Sequence, residues 1–269
     1  SATKFVPDGQ YLLNKATVKV EDTHEVLSQD LRNYLQQKQN TEILGFWKLQ
    51  LGIYNTSSQD TTKWTSRNAR KIGEPPVIYS EELTERSMQQ LEHAMDNKGY
   101  FQAEIDTTKV VKEKKLDLTY HVTANDPYHI RNYTISFPNT DLQQIAASER
   151  FRLLREGMRF DVDLMNQERQ RIASAMRRNG CYYFDKELIR FVADTTWGKR
   201  QVDLTICLQD YFSQLPEEEK KAIFRHYKVA NVYFHVDYEV DRIPEDEQLF
   251  SSVVDGYHFT WIGDKLLRE

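Results

Sequence analysis

The sequence predicts an α+β protein made of tandem β-α-α-β-β units, each a three-stranded sheet covered on one face by two helices. Two stretches, Ser80 to Val122 and Asp161 to Leu208, show the same succession of amphipathic helix, glycine turn and two strands. Gly99 and Gly180 end the two helices, because glycine adopts the left-handed cap without steric cost. A match of helix pattern, turn and hairpin together predicts an internal repeat.

The apolar faces of the two copies also align. At the helical period the buried stripes are Leu83, Met88, Leu91, Ala94 and Met95 in the first copy, and Leu164, Met165, Ile172, Ala175 and Met176 in the second. The inward residues of the last strands are Leu116, Leu118, Tyr120 and Val122, and then Val202, Leu204, Ile206 and Leu208. Strict alternation with polar residues predicts a sheet with one buried and one solvated face.

The length of 269 residues and the repeat predict several small domains rather than one large one. The predicted segments are an N-terminal tether at 1–10, a first unit at 11–126 with an insertion at about 41–78, a second unit at 127–212, a linker helix at 213–226 and a truncated third unit at 227–269.

The first strand of each unit is followed by a helix in this prediction. We expect a strand from Leu12 to Glu21, then a helix that is capped by Asp22-Thr23 and ends near Gln39. In the second unit the corresponding helix is predicted at Thr140 to Arg155. The third unit is expected to lack its second helix and its final hairpin, and therefore to be the least stable part.

The insertion of the first unit contains an aromatic segment, Ile43 to Tyr54. Within this segment Phe46, Trp47 and Tyr54 form a candidate partner surface, since exposed apolar patches often mark interaction sites. The alternative interpretation, and the commoner outcome, is that the segment folds back over the core of its own unit.

Composition excludes several classes of function. A net charge of −5 argues against a nucleic-acid partner, because binding phosphates needs a concentrated surplus of Lys and Arg. No apolar run approaches the roughly 20 residues that a membrane-spanning helix needs, and the residues after Ser1 show no signal-peptide pattern. The predicted hairpin of the second unit places Cys181 and Cys207 too far apart for a disulfide, so both are expected to be free thiols.

The sequence nominates no catalytic residue, cofactor or metal site, so we predict that the protein is not an enzyme. Its seven histidines are scattered without the spacing of a metal-binding pair. It contains neither a Gly-x-Ser-x-Gly elbow nor a phosphate-binding loop. The densest acidic cluster, Glu245-Asp246-Glu247, is interpreted as a solvated loop.

The order of elements, with a Gly-aromatic pair at Gly99-Tyr100 and a weaker one at Gly180-Cys181, resembles the polypeptide-transport-associated (POTRA) domain. The tandem arrangement is similar to the periplasmic arm of outer-membrane β-barrel assembly factors, the BamA/TamA-like family. The resemblance covers Tyr11 to Leu208 as two complete units and Tyr227 to Glu269 as the start of a third.

The resemblance implies a location at the periplasmic face of the bacterial outer membrane. It also implies an export signal before Ser1 and a C-terminal membrane β-barrel after Glu269. The implied function is to guide polypeptides, or to dock accessory proteins, for insertion of β-barrel proteins into the outer membrane. The implied partners are unfolded outer-membrane protein precursors or accessory assembly proteins, together with the barrel of the same protein.

A three-stranded sheet has two outer strands with unpaired backbone groups, and an extended client can pair with them. We expect the second strand of each unit, Phe101 to Val110 and Tyr182 to Ala193, to be such an edge. The candidate residues are Phe101, Ala103, Glu104, Ile105, Tyr182, Phe184, Lys186 and Leu188. The alternative is that charged side chains shield these edges, and that the chain is a scaffold or spacer without client contact.

Overall fold

The computed structural model describes residues 3–41, 48–56, 73–138, 140–148, 152–235 and 249–262. The strands of this part of the chain are β1 (Leu12–Val20), β2 (Glu104–Lys112), β3 (Lys115–Thr123), β4 (His129–Ser136), β5 (Ile189–Asp194), β6 (Gln201–Leu208), β7 (Val232–His235), β8 (Leu249–Val254) and β9 (Tyr257–Ile262). The α-helices are α1 (Ser28–Leu31), α2 (Leu49–Thr56), α3 (Glu81–Asn97), α4 (Thr140–Ala146), α5 (Val162–Arg178) and α6 (Glu217–Phe224).

The strands form three sheets of three strands each within the described residues, in the orders β1-β3-β2, β4-β6-β5 and β7-β9-β8. In every sheet the first strand runs parallel to the central strand, and the second strand runs antiparallel to it. The predicted α+β class with tandem three-stranded sheets is therefore confirmed. The domain boundaries stay a prediction.

The core of the first unit lies between its sheet and α3. Ser80 caps this helix, since its hydroxyl accepts a hydrogen bond from the Leu83 N–H. On the helix Leu91 and Met95 are fully buried, and they belong to one apolar cluster with Leu118 and Tyr120 of the central strand. The alternation predicted for this strand is confirmed, because every second residue of β3 is buried.

The first helix of each complete unit is shorter than predicted. In the first unit α1 is followed only by a 3-10 turn at Arg32–Tyr34, and the chain is extended from Leu35. The reason is tertiary hydrogen bonding: the Gln39 side chain accepts from the Ala16 N–H, and the buried Asn40 side chain donates to Pro75 O. In the second unit α4 ends at Ala146 rather than Arg155.

Part of the N-terminal segment, which the sequence predicts as a tether at 1–10, packs against the first unit. Val6 is buried in a small cluster with Leu12 and Leu51, and Ile78 packs against the same cluster. Burial of these four side chains removes apolar surface from water, and this favours a fixed position for the segment.

The third sheet contains a hairpin, β8-β9, that the sequence analysis expected to be missing. Its turn is Asp255-Gly256, and both residues have positive φ angles of 50° and 82°. Two such angles are required by the tight turn that Asp-Gly favours between antiparallel strands. The Asp255-Gly256 dipeptide is the sequence feature from which the hairpin could have been predicted. Residues 236–248, which include the acidic cluster Glu245-Asp246-Glu247, lie outside the described residues.

The predicted linker helix is present as α6, which begins after Pro216. It packs against the second unit, because Ile223 and Phe224 contact the apolar cluster that contains Phe184 and Phe212. None of the described helices is long and apolar enough to cross a membrane.

Candidate polypeptide-binding site

Strand β2 lies at the edge of the first sheet, where β3 is its one partner among the described strands. The hairpin turns at Glu113 and Lys114, with Lys112 opposite Lys115. In a two-residue hairpin the pair next to the turn is hydrogen bonded, and pairs alternate from there. The backbone groups that face away from β3 are therefore those of Ile105, Thr107, Lys109 and Val111.

The other edge of the same sheet, β1, is already occupied. The Leu13 N–H donates to Val77 O at 2.8 Å. The Ala16 N–H donates to the Gln39 side chain at 3.1 Å, and the Val20 N–H donates to the Ser28 hydroxyl at 3.3 Å. Of the two edges, β2 is thus the one that offers backbone groups to another strand.

Charged side chains guard β2 at two points. The Thr107 N–H donates to the Asp106 carboxylate at 2.7 Å, so this outward group is not free while the carboxylate stays in place. Lys109 donates to both carboxylate oxygens of Glu81 at 2.6 Å. This hydrogen-bonded pair lowers the pKa of Glu81 and raises the pKa of Lys109.

The equivalent edge of the second sheet is β5, which has only six residues against nine in β2. Its register with β6 runs from Ile189 opposite Leu208 to Asp194 opposite Asp203. A shorter edge offers fewer main-chain hydrogen bonds to an incoming strand. The sequence correctly predicted that the second strand of each unit lies at an edge.

The predicted site residues of the first unit fall into two places. Glu104 and Ile105 are the first two residues of β2. Ala103 precedes the strand and packs against the core of the unit. Phe101 lies in the turn before the strand, so its assignment to the edge is wrong.

The predicted site residues of the second unit do not lie on the edge strand. Tyr182 is in a turn, Lys186 and Leu188 lie in a 3-10 turn, and β5 begins only at Ile189. Phe184 and Leu188 are buried in the core. The strand starts late because the Asp185 carboxylate accepts the Glu187 N–H and favours a helical turn there.

Phe101 is part of a junction between the first and second units that the sequence analysis missed. Its ring contacts the rings of Tyr128 and Phe160, at centroid distances of 5.0 and 5.2 Å. The Tyr128 N–H donates to Gly99 O, and the Phe160 N–H donates to Tyr128 O, both at 2.8 Å. An aromatic residue directly after the Gly-aromatic pair was the available signal.

The candidate partner surface of the insertion is only partly described. Phe46 and Trp47 lie outside the described residues. Tyr54 is half-buried, and its ring contacts Phe5 at 5.5 Å. Since Leu51 of the same segment is buried as well, the described residues of the insertion fold back over their own unit. The role of the insertion in partner binding stays a prediction.

Both cysteines are free thiols, as predicted. Cys181 is buried, and its burial raises the pKa of the thiol, which disfavours the reactive thiolate form. No group of three or more His, Cys, Asp or Glu residues in the described ranges is arranged to hold a metal ion.

Residues 16–125 match the family model for the POTRA domain, described as "Surface antigen variable number repeat". No curated protein matches the chain by sequence.

Three solved structures illustrate what the chain is similar to. The POTRA3-5 segment of BamA from Haemophilus influenzae is 12% identical with a TM-score of 0.38, and the match covers 97% of this chain and all of that one. BamA from Haemophilus ducreyi lacking POTRA domains 1-3 is 13% identical with a TM-score of 0.35, over 74% of this chain and 29% of that one. The N-terminal domain of Omp85 from Thermosynechococcus elongatus is 11% identical with a TM-score of 0.32, over 95% and 98%.

Proposed function

We propose that this chain consists of tandem POTRA domains, of which the first is matched at residues 16–125, and that it handles polypeptides in the bacterial periplasm. In this proposal it is a module of an outer-membrane protein assembly or translocation factor. Its clients are unfolded outer-membrane protein precursors, and it also docks accessory assembly proteins. The proposal includes no reaction, because POTRA domains are non-catalytic modules.

The observation that carries the proposal is the difference between the two edges of the first sheet. The β1 edge is closed because its N–H groups donate hydrogen bonds to Val77, Gln39 and Ser28, whereas β2 directs the backbone groups of four residues outward. A client strand that pairs with β2 takes its affinity from main-chain hydrogen bonds. Such pairing tolerates many sequences, and this suits a module with many clients.

The test is residue-resolved amide NMR of the full 269-residue chain, titrated with an extended peptide copied from an outer-membrane barrel strand. We expect chemical-shift changes in Glu104–Lys112, and smaller changes in the shorter β5, because an added strand forms hydrogen bonds with the outward groups. Amides of β1 serve as an internal control and should not shift.

We predict that Asp106→Ala strengthens peptide binding several-fold. The substitution frees the Thr107 N–H, which in the unchanged chain donates a hydrogen bond to the Asp106 carboxylate. Gain of one backbone hydrogen bond of about 1 kcal/mol corresponds to roughly a fivefold change in affinity.

Val111→Pro should weaken binding, because proline removes an outward N–H and edge strands tolerate proline. Peptide titrations of both variants, followed by amide shifts, measure the two effects.

Absence of shifts in β2 at millimolar peptide would contradict client pairing. The proposal would then reduce to its alternative, a non-catalytic scaffold or spacer without client contact. The Asp106 and Lys109 side chains at the edge are the features that favour this alternative, since charge on an edge strand discourages pairing.

A further inference from the structure

The junction between the first two units contains a site that is filled by Phe160. Three residues form the site: Gly99, whose carbonyl accepts the Tyr128 N–H, and the rings of Phe101 and Tyr128. Phe160 is buried between these groups and the apolar core of the second unit, where it clusters with Ile130 and Val202. A Cβ on Gly99 would lie only 2.5 Å from Phe160 O. The segment that carries Phe160 therefore lies directly against the glycine.

The glycine and the two aromatic residues of this site recur after the second unit, but a segment equivalent to the one that carries Phe160 does not recur among the described residues. The Tyr227 N–H donates to Gly180 O at 2.8 Å, and the ring of Tyr182 lies 6.3 Å from that of Tyr227. These three residues correspond, in order, to the three that form the site in the first junction. Beside Gly180 the side chain of His226 takes part of the space that Phe160 takes beside Gly99, since a Cβ on Gly180 would lie 3.1 Å from His226 Nδ1. No described residue repeats the backbone pairing that Phe160 makes in the first junction.

In the first junction, the segment that carries Phe160 forms backbone hydrogen bonds with the start of β4. The Phe160 N–H donates to Tyr128 O, and the Ile130 N–H donates to Met158 O, both at 2.8 Å. The segment before α5 therefore runs antiparallel to the start of β4.

The first unit contains the same pair of hydrogen bonds. The Tyr79 N–H donates to Tyr11 O at 2.9 Å, and the Leu13 N–H donates to Val77 O at 2.8 Å. This pairing is thus a regular part of the complete units.

In the third unit the corresponding groups are Tyr227 O and the Val229 N–H. Neither forms a backbone hydrogen bond with any residue in the described ranges. Val229 is 80% exposed, so both its backbone donor and its apolar side chain are accessible. Tyr227 O and the Val229 N–H are therefore available for pairing with an extended segment like the one that carries Phe160.

A cavity of about 660 Å³ surrounds these groups. Its apolar part is formed by three tyrosines in edge-to-face contact, Tyr182, Tyr183 and Tyr227, which are 66%, 58% and 40% exposed. Its other lining residues include His226, Arg178 and Lys228. Neither Arg178 nor Lys228 forms an ion pair within the described chain, and none of the described lining residues is a carboxylate. Aromatic walls beside unpaired cations favour a ligand that is both aromatic and anionic.

We propose that this cavity binds an extended segment of a partner polypeptide that carries an aromatic residue next to an acidic one. The aromatic side chain takes the position that Phe160 has in the first junction, and its N–H donates to Tyr227 O. The carbonyl two residues earlier accepts the Val229 N–H. The acidic residue, as Asp161 follows Phe160, lies against Arg178 and Lys228.

The probe is a fluorescein-labelled peptide with the sequence of residues 156–163, Glu-Gly-Met-Arg-Phe-Asp-Val-Asp, added to the full chain. We expect saturable binding by fluorescence anisotropy, with amide shifts at Tyr182, Tyr227 and Val229. A peptide with Phe160→Ala should bind at least about tenfold more weakly, since buried aromatic anchors dominate such contacts. Replacing its aspartates by asparagine should weaken binding at low salt and reduce its salt dependence.

Backbone pairing is tested with two methylated peptides. N-methylation at the Phe160 position removes the N–H that pairs with Tyr227 O, and should abolish binding. N-methylation at the Arg159 position removes an N–H that points away from the pairing partner in an antiparallel pair, and should leave most of the binding.

On the protein side, Tyr182→Ala should weaken binding at least about tenfold. Because Tyr182 is mostly exposed, the variant should keep its thermal unfolding midpoint. Tyr34→Ala, which removes another partly exposed tyrosine in the first unit, is the matched control and should bind as the unchanged chain does.

Equal binding by Tyr182→Ala, or equal binding of the Phe160→Ala peptide, would overturn the proposal, as would no saturable binding at millimolar peptide. Concentration-dependent dimerisation that Tyr182→Ala abolishes would instead assign the cavity to a second copy of this chain. The proposal does not rest on client pairing with β2, since Val111→Pro should leave binding of this peptide unchanged. The two ideas can therefore fail separately.

Discussion

Replacing Glu168 by alanine is expected to lower the free energy of unfolding of the second unit by about 3–5 kcal/mol. Glu168 is completely buried on α5. Its carboxylate accepts hydrogen bonds from the Arg171 side chain at 2.8 Å, the Tyr133 hydroxyl at 3.2 Å and the Leu153 N–H at 3.0 Å. Alanine would leave a mostly buried guanidinium and a backbone donor without their acceptor.

The hydrogen bonds of Glu168 also stabilise the C-terminal end of α4, through Arg171. Arg171 donates to Ala146 O at 2.7 Å, and it is oriented by the same carboxylate. Loss of Glu168 therefore affects a helix, the segment that contains Leu153 and the sheet residue Tyr133 together. Groups that belong to one network are not independent, so single replacements within it should not add.

The measurement is amide hydrogen exchange of β6 with increasing urea, which follows the second unit even if the units unfold separately. Glu187→Ala is the matched control, since its exposed carboxylate pairs with Arg169 at 3.1 Å and an exposed pair contributes about 1 kcal/mol or less. Glu168→Gln, which keeps an acceptor, should lie between the two. Equal stability of Glu168→Ala and Glu187→Ala would show that the network contributes little.

The elements that sequence analysis predicted best are those with strong periodicity. The stripes of α3 and α5, with Gly99 and Gly180 at their ends, and the alternation in β3 and β6 identify the repeat. These patterns are local consequences of burial on one face, so they can be read without knowledge of the rest of the chain.

The elements that were missed depend on distant partners. Gln39 and Asn40 keep their segment extended by hydrogen bonds to Ala16 and Pro75, and nothing in the local pattern indicates this. Glu168 looks like a surface residue of an amphipathic helix until Arg171 and the Leu153 segment enclose it. Tertiary hydrogen bonds here override local propensity.

The candidate site was predictable to the same extent. The second strand of each unit was correctly placed at a sheet edge. Which of the two edges is open could not be predicted, since the β1 edge is closed by Ser28, Gln39 and Val77, which come from other parts of the chain. Phe101 and Tyr182 were interpreted as strand residues, but the turn after each glycine directs them to the ends of the units.

Replacing Gly99 by alanine is expected to disrupt the first junction. Gly99 has a φ of 86°, a backbone conformation that costs an alanine about 1–2 kcal/mol. The new Cβ would lie 2.5 Å from Phe160 O, and relief of such an overlap costs about 1–3 kcal/mol more. The atom that it meets belongs to the backbone, so the segment that carries Phe160 must move away from Phe101 and Tyr128.

Gly157→Ala separates these two contributions. Gly157 has a φ of 82°, nearly the same as that of Gly99, but a Cβ there would meet nothing within 4 Å. Chemical unfolding followed by amide exchange should therefore show the smaller loss for Gly157→Ala and the larger loss for Gly99→Ala. Only Gly99→Ala should also shift the amide resonances of Phe101 and Tyr128.

The difference between the two variants measures how tightly the first two units are joined. If the Phe160 site holds them as one body, Gly99→Ala should split their unfolding into two transitions, because the contacts that couple them are lost. Equal stability of the two variants would mean that the junction yields at little cost and that the units move relative to each other. The cavity at Gly180 would then offer a partner segment only weak binding, since it is built from the same parts.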